Sequence, residues 1–176
     1  MVQRKIITLS TMYTIISGTN RPGSNTLKVA KEYQKFFKEF GVDANLFSLE
    51  DLNSLYKDSF FCKLEKELLI PTQKFIFIMP EYNGSFPGIF KLMIDNSDIK
   101  QCWHTKKVML VGIADGRAGN LRGLDVVTNM CHYMKMSVYF DKLPISRINS
   151  ELKDDMFSNE MTIQVIKNQI KGFIQY

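Results

Sequence analysis

Two kinds of apolar pattern alternate along this chain. Residues 74–79, "KFIFIM", and 107–113, "KVMLVGI", are apolar almost throughout, as expected of parallel strands covered on both faces. The first is stopped by Pro80 and reads as the central strand. Residues 12–17 form a shorter buried run, 42–47 alternate loosely as a second strand, and 137–140 supply a last one. Between these runs the apolar residues recur at helical spacing. In 24–40 they are Leu27, Val29, Ala30, Tyr33, Phe36, Phe37 and Phe40, with lysines and glutamates between them and Gly41 as a stop. Residues 88–96, 121–136 and 159–176 show the same period. The stretch 53–71 is less regular, with a short helix expected near 61–70 that ends at Pro71. Five strands alternating with helices, each connection long enough for a crossover, predict an α/β three-layer sandwich around a five-stranded parallel sheet.

Composition fits one such domain. The chain has 176 residues, 45% of them hydrophobic, enough to bury one substantial core. Met12 stands where the first strand begins, so 12–176 is read as the domain and 1–11 as a loose N-terminal extension, with Met12 an alternative start. The net charge of +5 favours anionic small molecules. The basic residues are scattered, without zinc-finger spacing or an aromatic-basic repeat, so no nucleic-acid partner is expected. Three distant cysteines, Cys62, Cys102 and Cys131, point to a reducing cytoplasm and buried thiols. The apolar run at 6–9 is too short for a signal-peptide core or a membrane span. A soluble cytoplasmic protein without a membrane partner is therefore expected.

In an open parallel sheet, ligands bind beyond the carboxyl ends of the strands, where strand order reverses. Three loops that leave such ends carry unusual residues. "SGTNRPGSNT", 17–26, gathers hydroxyls, amides and two glycines ahead of a helix start, whose unpaired N–H groups and dipole favour an anion. The same residues read equally well as a turn with a Ser24 or Asn25 helix cap. The loop lacks the Lys-Ser/Thr ending of a P-loop and the GxGxxG of a dinucleotide fold. "PEYNGSFP", 80–87, sets a tyrosine among turn amides that can border a flat heteroaromatic ring. "ADGRAGNLR", 114–122, has glycines that permit close backbone approach and an arginine that can face an anion or water.

These segments resemble the NAD(P)H-dependent FMN reductases, a flavodoxin-like family of flavin, quinone, azo-dye and chromate reductases. "SGTNRPGSNT" is similar to the family's Gly-Ser-x-Arg-x-x-Ser phosphate loop. "PEYNGSFPGIFKLMID" is similar to its Pro-Glu-Tyr-Asn-Gly-Ser-x-Pro-Gly-x-x-Lys-Asn-x-x-Asp signature, and "GIADGRAGNLRGLD" to its third loop. The resemblance implies FMN as cofactor, NADPH or NADH as co-substrate, and a ping-pong transfer to a small acceptor: a flavin, quinone, azo compound or metal oxyanion. It places Thr19, Arg21, Ser24, Asn25 and Thr26 around the FMN phosphate, with Gly18 shaping the turn. Pro80, Glu81, Tyr82, Asn83 and Gly84 border the isoalloxazine ring, with Ala114, Asp115, Gly116, Arg117 and Gly119 on its other side. No catalytic side chain is required, because the flavin carries the chemistry; Glu81 is not assigned as an acid or base. Thr19 stands where serine is usual, Leu92 replaces an asparagine, and Asp115 and Arg117 add charge near the ring.

Other residues carry less. His104 and His132 lack ligand spacing and are read as surface or interface residues, not a metal site. Trp103 is expected to be partly buried, and Cys131 to lie in the core. Phe86, Ile89, Phe90 and Met93 are more apolar surface than one sheet face is expected to cover, and the family packs this region between subunits, which implies a homodimer or homotetramer. The competing readings are a flavodoxin-like electron carrier that uses no nicotinamide, and a domain that has lost its flavin. The basic charge disfavours the first, and the three retained loops the second.

Overall fold

The structure is a computed structural model that describes residues 11–52 and 55–176. The expected extension at 1–11 lies, but for Thr11, outside the described residues. Five parallel strands form the sheet in the order β2-β1-β3-β4-β5: β1 (Tyr13–Ser17), β2 (Ala44–Ser48), β3 (Lys74–Pro80), β4 (Lys107–Ile113) and β5 (Ser137–Val138). The order reverses between β1 and β3, whose register pairs Tyr13 with Lys74 and Ser17 with Ile78. The crevice of the fold therefore opens where the first two polar loops begin.

Alternation along the strands builds two cores. Ile16, Phe75, Phe77, Val108 and Leu110 face one side and are covered by α2 (Ser59–Leu64), α3 (Gly88–Asn96), α4 (Ile99–Cys102) and α5 (Leu121–Tyr133). Tyr13, Ile15, Ile76, Ile78 and Met109 face the other side, under α1 (Asn25–Glu39) and the closing helix α7 (Glu160–Gln175). Trp103 is fully buried, 5.0 Å from Phe75 between ring centroids, and its Nε1 donates to Ser97 Oγ at 2.6 Å. The expected partial burial is thus corrected: the short helix α4 folds the "QCWHTKK" segment back over the sheet. Cys102 and Cys131 are buried as expected, whereas Cys62 is exposed on the outer face of α2.

Several boundaries differ from the sequence reading. The helix near 61–70 begins at Ser59, caps on Asp58 Oδ1 and widens into a π-helical turn over Glu65–Leu69. The helix at 121–136 stops at Tyr133, after which Lys135 adopts a positive φ of 56°. The last strand is split. Val138 pairs with Val108, residues 139–142 then bulge out, and β6 (Leu143–Ile145) rejoins β4 opposite Val111. The bulge arises because Tyr139 turns into the second core against Phe173, 5.7 Å away. Beyond it, α6 (Ile148–Glu151) and an antiparallel hairpin, β7 (Leu152–Lys153) with β8 (Met156–Phe157), lie against α1; the polar composition of this stretch does not announce them. Phe90 and Met93 of α3 are fully buried within the chain itself, so the apolar surface expected to require a second subunit is largely covered without one.

Candidate functional site

The three loops and a fourth segment line one open cavity of about 630 Å³, within the usual range for small-ligand sites. The first loop starts with a tight crossing. Gly18 N–H donates to Ile78 O at 2.9 Å, and a Cβ at Gly18 would stand 2.5 Å from Met79 Sδ and 2.8 Å from Ile78 O. Only glycine lets the chain leave β1 this close to β3. The buried Thr19 hydroxyl then lies 2.7 Å from Tyr82 Oη, which ties the first loop to the second. Gly23 takes a φ of +64° and brings the chain to Ser24, whose hydroxyl accepts from Leu27 N–H at 3.2 Å and caps α1. The cap and the cradle are not exclusive: Ser24, Asn25 and Thr26 all line the cavity, and the first turn of α1 opens into it.

The second loop is a tight turn. Tyr82 and Ser85 exchange both backbone hydrogen bonds, at 2.9 and 3.0 Å, while Asn83 and Gly84 take positive φ of 53° and 75°. Two such residues in succession are what a type I′ turn demands, and the Asn-Gly pair supplies them. Pro80 to Gly84 line the cavity, and Glu81 N–H bonds Ile113 O at 3.0 Å. The Arg21 guanidinium lies over the Tyr82 ring, 4.3 Å from its centroid. The loop that begins at β1 thus reaches the second loop with both a hydroxyl and a cation.

In the third loop, Ala114, Asp115 and Gly116 line the cavity, whereas Arg117 and Gly119 do not. Gly119, at a φ of +58°, packs on the edge strand: a Cβ there would be 2.7 Å from the Pro144 carbonyl carbon. Asn120, fully buried at a φ of 66°, donates from Nδ2 to Met79 O at 2.9 Å and locks this loop to the end of β3. Gly18 shapes the floor without lining it. The cavity also takes in Pro22, Ile113, Ile148 and Asn149, which the motifs did not mark. Ile148 N–H bonds Ala114 O at 3.1 Å, Arg147 N–H bonds Gly116 O at 3.2 Å, and Asn149 Oδ1 accepts from Asn25 Nδ2 at 2.7 Å. No local signal could have found Asn149, because the bulge in the edge strand decides where it arrives.

Thr19, Ser24, Asn25 and Thr26 line one part of the cavity, and residues 80–84 with Ala114, Asp115 and Gly116 another. Hydroxyls, amides and a helix start suit a phosphate; the Tyr82–Ser85 turn offers peptide edges for a planar heterocycle. This donor set and volume fit flavin mononucleotide. No cysteine lines the cavity, and the two buried thiols are held protonated: burial pushes Cys102 up to about 12, with Glu65 beside it adding to the effect, and burial alone does the same to Cys131. Among the described residues no group of three or more His, Cys, Asp or Glu is placed to hold a metal ion, and no helix is long and apolar enough to cross a membrane.

Comparison with known proteins agrees with this geometry. The fold is similar to that of FerB, a flavoenzyme NAD(P)H:(acceptor) oxidoreductase from Paracoccus denitrificans, with a TM-score of 0.76, 19% identity, and 94% of this chain and 96% of that chain covered. It is also similar to the NADH:FMN oxidoreductase EMOB in its apo form, with a TM-score of 0.72, 17% identity, and 93% and 88% covered. A flavodoxin from the domain Archaea matches with a TM-score of 0.65 at 14% identity, over 93% of this chain and 97% of its own. No curated protein sequence matches. The sequence profile of the family described as NADPH-dependent FMN reductase matches residues 12–149, which span all three loops. The chain belongs to the NADPH-dependent FMN reductase family and is a flavodoxin-like flavin oxidoreductase.

Proposed function

We infer that this protein binds FMN in the cavity between β1 and β3, takes reducing equivalents from NADPH or NADH, and delivers them to a small acceptor. The observation that carries this reading is the meeting of the α1 start and the Tyr82–Ser85 turn on one cavity, joined by the Thr19–Tyr82 hydrogen bond. The α1 start and the side chains of Thr19, Ser24, Asn25 and Thr26 hold the phosphate, with Gly18 keeping the floor open. Pro80 to Gly84 border one edge of the ring, and Ala114, Asp115 and Gly116 the other, with Arg117 and Gly119 shaping that loop from outside the lining. Arg21 binds charge at the boundary between phosphate loop and ring loop.

FMN, when bound, supplies the hydride chemistry. The protein positions the ring, offers backbone N–H groups to developing charge and shields one face. Donor and acceptor enter the remaining open space in turn, a ping-pong order. With a quinone the balance is NAD(P)H plus a proton plus quinone giving NAD(P)+ and hydroquinone, and no side-chain acid or base is required. The acceptor class remains quinone, azo compound, free flavin or metal oxyanion. The protein is further proposed to work in the cytoplasm as a homodimer or homotetramer. The exposed Leu121, Val126 and Tyr133 on α5 support an assembly better than α3 does; a monomeric mass at micromolar concentration would count against it.

The test is the absorbance of purified protein given FMN, then NADPH or NADH without oxygen. A perturbed flavin spectrum that bleaches on adding a nicotinamide is expected. Absence of flavin binding ends the reading, and flavin bleached by neither nicotinamide makes the protein an electron carrier instead.

A further inference from the structure

The amino end of the sheet, opposite the three loops, holds a second polar cavity of about 480 Å³, lined by Thr11, Gln73, Lys74, Thr105, Lys106 and Lys107. Three neighbouring strands build it: Thr11 lies ahead of β1, Gln73 and Lys74 open β3, and Thr105 to Lys107 open β4. Main-chain bonds tie these entries together, since Met12 O accepts from Gln73 N–H at 3.0 Å and from Lys74 N–H at 3.2 Å, and Gln73 O accepts from Lys107 N–H at 3.0 Å. Lys74 and Lys107 are register partners on adjacent parallel strands, so their side chains leave the same face of the sheet. Like charges in that relation repel. Lys106 leaves the other face and brings a third ammonium to the same rim.

No carboxylate answers this charge. Among the described residues no Asp or Glu lies within 4.0 Å of Lys74, Lys106 or Lys107, and the sequence ahead of Thr11 contains Arg4 and Lys5 but no acidic residue. The ammonium groups bond main-chain oxygens instead: Lys74 Nζ those of Phe173 and Ile174 at 3.1 and 3.0 Å, Lys106 Nζ those of Ile70 and Thr72, and Lys107 Nζ that of Tyr176. Such bonds close helix ends, where a cation is favoured, but a carbonyl dipole does not cancel a full charge. Tyr176, the last residue of the sequence, brings at most one carboxylate to three ammonium groups. Lys74 is only 8% exposed, and a buried cation without a counter-ion is costly. Burial, and then the neighbouring Lys107, holds Lys74 below the usual lysine range, and burial lowers Lys106 as well. An ammonium has three N–H donors; these carbonyls take two from Lys74, two from Lys106 and one from Lys107, which leaves each lysine a donor for a ligand.

We propose that the amino end of the sheet is a second binding site, for a polyphosphate, with Lys74, Lys106 and Lys107 neutralising its charge and Thr11 and Gln73 bonding its remaining oxygens. A diphosphate or triphosphate carries, near neutrality, negative charge enough to match three lysines, which bind phosphate as point charges. The site is independent of the flavin reading: β3 and β4, seven residues each, hold it about 20 Å from the three loops. The same chemistry is offered by an inorganic polyphosphate and by the tail of a nucleoside triphosphate, and the experiment separates them.

FMN is supplied in excess to fill the first cavity, and sodium triphosphate, ATP and orthophosphate are titrated by calorimetry into wild type, Lys106→Gln and Lys107→Gln at constant ionic strength. Triphosphate is expected to bind wild type about tenfold more tightly than orthophosphate and each variant roughly three- to tenfold less tightly than wild type, with binding that weakens as salt is raised. ATP binding at least as tightly as triphosphate identifies a nucleotide tail as the occupant; weaker ATP binding identifies an inorganic polyphosphate. If neither binds more tightly than orthophosphate, or if both variants bind as wild type does, the proposal is wrong. Because the variants also lose bonds at helix ends, amide NMR of wild type provides a reading that needs no substitution. Shifts on adding triphosphate should centre on Thr11, Gln73 and Thr105, and shifts confined to residues 17–26 would place the anion in the first cavity and overturn the proposal. Failure to bind FMN would end the functional reading separately, and the same shifts would still decide which end of the sheet takes the polyphosphate.

Discussion

Gly18 and Thr19 show how little room the site leaves for substitution. A methyl group at Gly18 would collide with the Ile78 carbonyl, which the sheet holds in place, and with Met79 Sδ, which could move. Gly18→Ala is expected to cost about 1–3 kcal/mol in urea unfolding and to weaken FMN binding by spreading β1 from β3. The Thr19–Tyr82 hydrogen bond joins the first loop to the second, beside the Arg21 guanidinium that lies over the same tyrosine ring. Thr19→Val and Tyr82→Phe should each weaken FMN binding, and a double-mutant cycle on flavin affinity should return a coupling of about 0.5–1.5 kcal/mol; a zero coupling would mean that the two loops act independently. The residue types of both positions were legible in the sequence, since a hydroxyl and a tyrosine sat in motifs. Their contact was not, because it joins residues from two different strands.

Among the elements, the π-helical turn after α2 is organised by Glu65. Its carboxylate accepts from Lys57 Nζ, from Asp98 N–H at 2.6 Å and from the Cys102 thiol at 3.6 Å. Burial alone would raise the Glu65 carboxyl, but the Lys57 ammonium, with the Asp98 N–H and the Cys102 thiol, outweighs it and holds the group below the usual carboxylate range. A carboxyl depressed in the folded state stabilises the protein above its unfolded pKa, and that contribution is lost as pH falls through the folded value. Glu65→Gln should therefore cost about 1–3 kcal/mol near neutrality, with the difference from wild type shrinking in acid unfolding experiments. A pH-independent difference would assign the effect to packing instead. The adjoining α4 buries the single tryptophan. Trp103 should emit at short wavelength and resist quenching by iodide, and Trp103→Ala should cost about 3–5 kcal/mol; an exposed emission spectrum would contradict the packing of α4. The sequence showed α1, α3 and α7 to within a residue or two because each carries a clean apolar stripe. It did not show α4 or the β7–β8 hairpin, whose short segments are held by contacts with distant elements.

For the whole molecule, a site assembled from four segments couples cofactor binding to global stability. At FMN concentrations a hundred times its Kd, about 2.7 kcal/mol of added stability is expected, which corresponds to a rise of about 5–10 °C in Tm. Thermal unfolding with FMN against an equal concentration of riboflavin measures how much of that comes from the phosphate end, and no shift with FMN would contradict the site. Strand sequence by itself determined the parallel sheet, since fully apolar runs such as 74–79 and 107–113 can be satisfied only by cover on both faces. It also determined the polar loops at the strand ends, because glycine, asparagine and hydroxyl residues are chosen for local backbone and hydrogen-bond reasons that are written in the chain. Tertiary structure alone decided the rest. The split of the last strand depends on Tyr139 finding the core beside Phe173, and that bulge carries Ile148 and Asn149 to the cavity. The contacts of Arg21 with the Tyr82 ring and of Arg122 with Gly84 exist only once strand order has brought distant segments to the same end of the sheet. Local pattern encodes what each residue does to its own backbone; which distant residue it meets is set by the packing of the sheet.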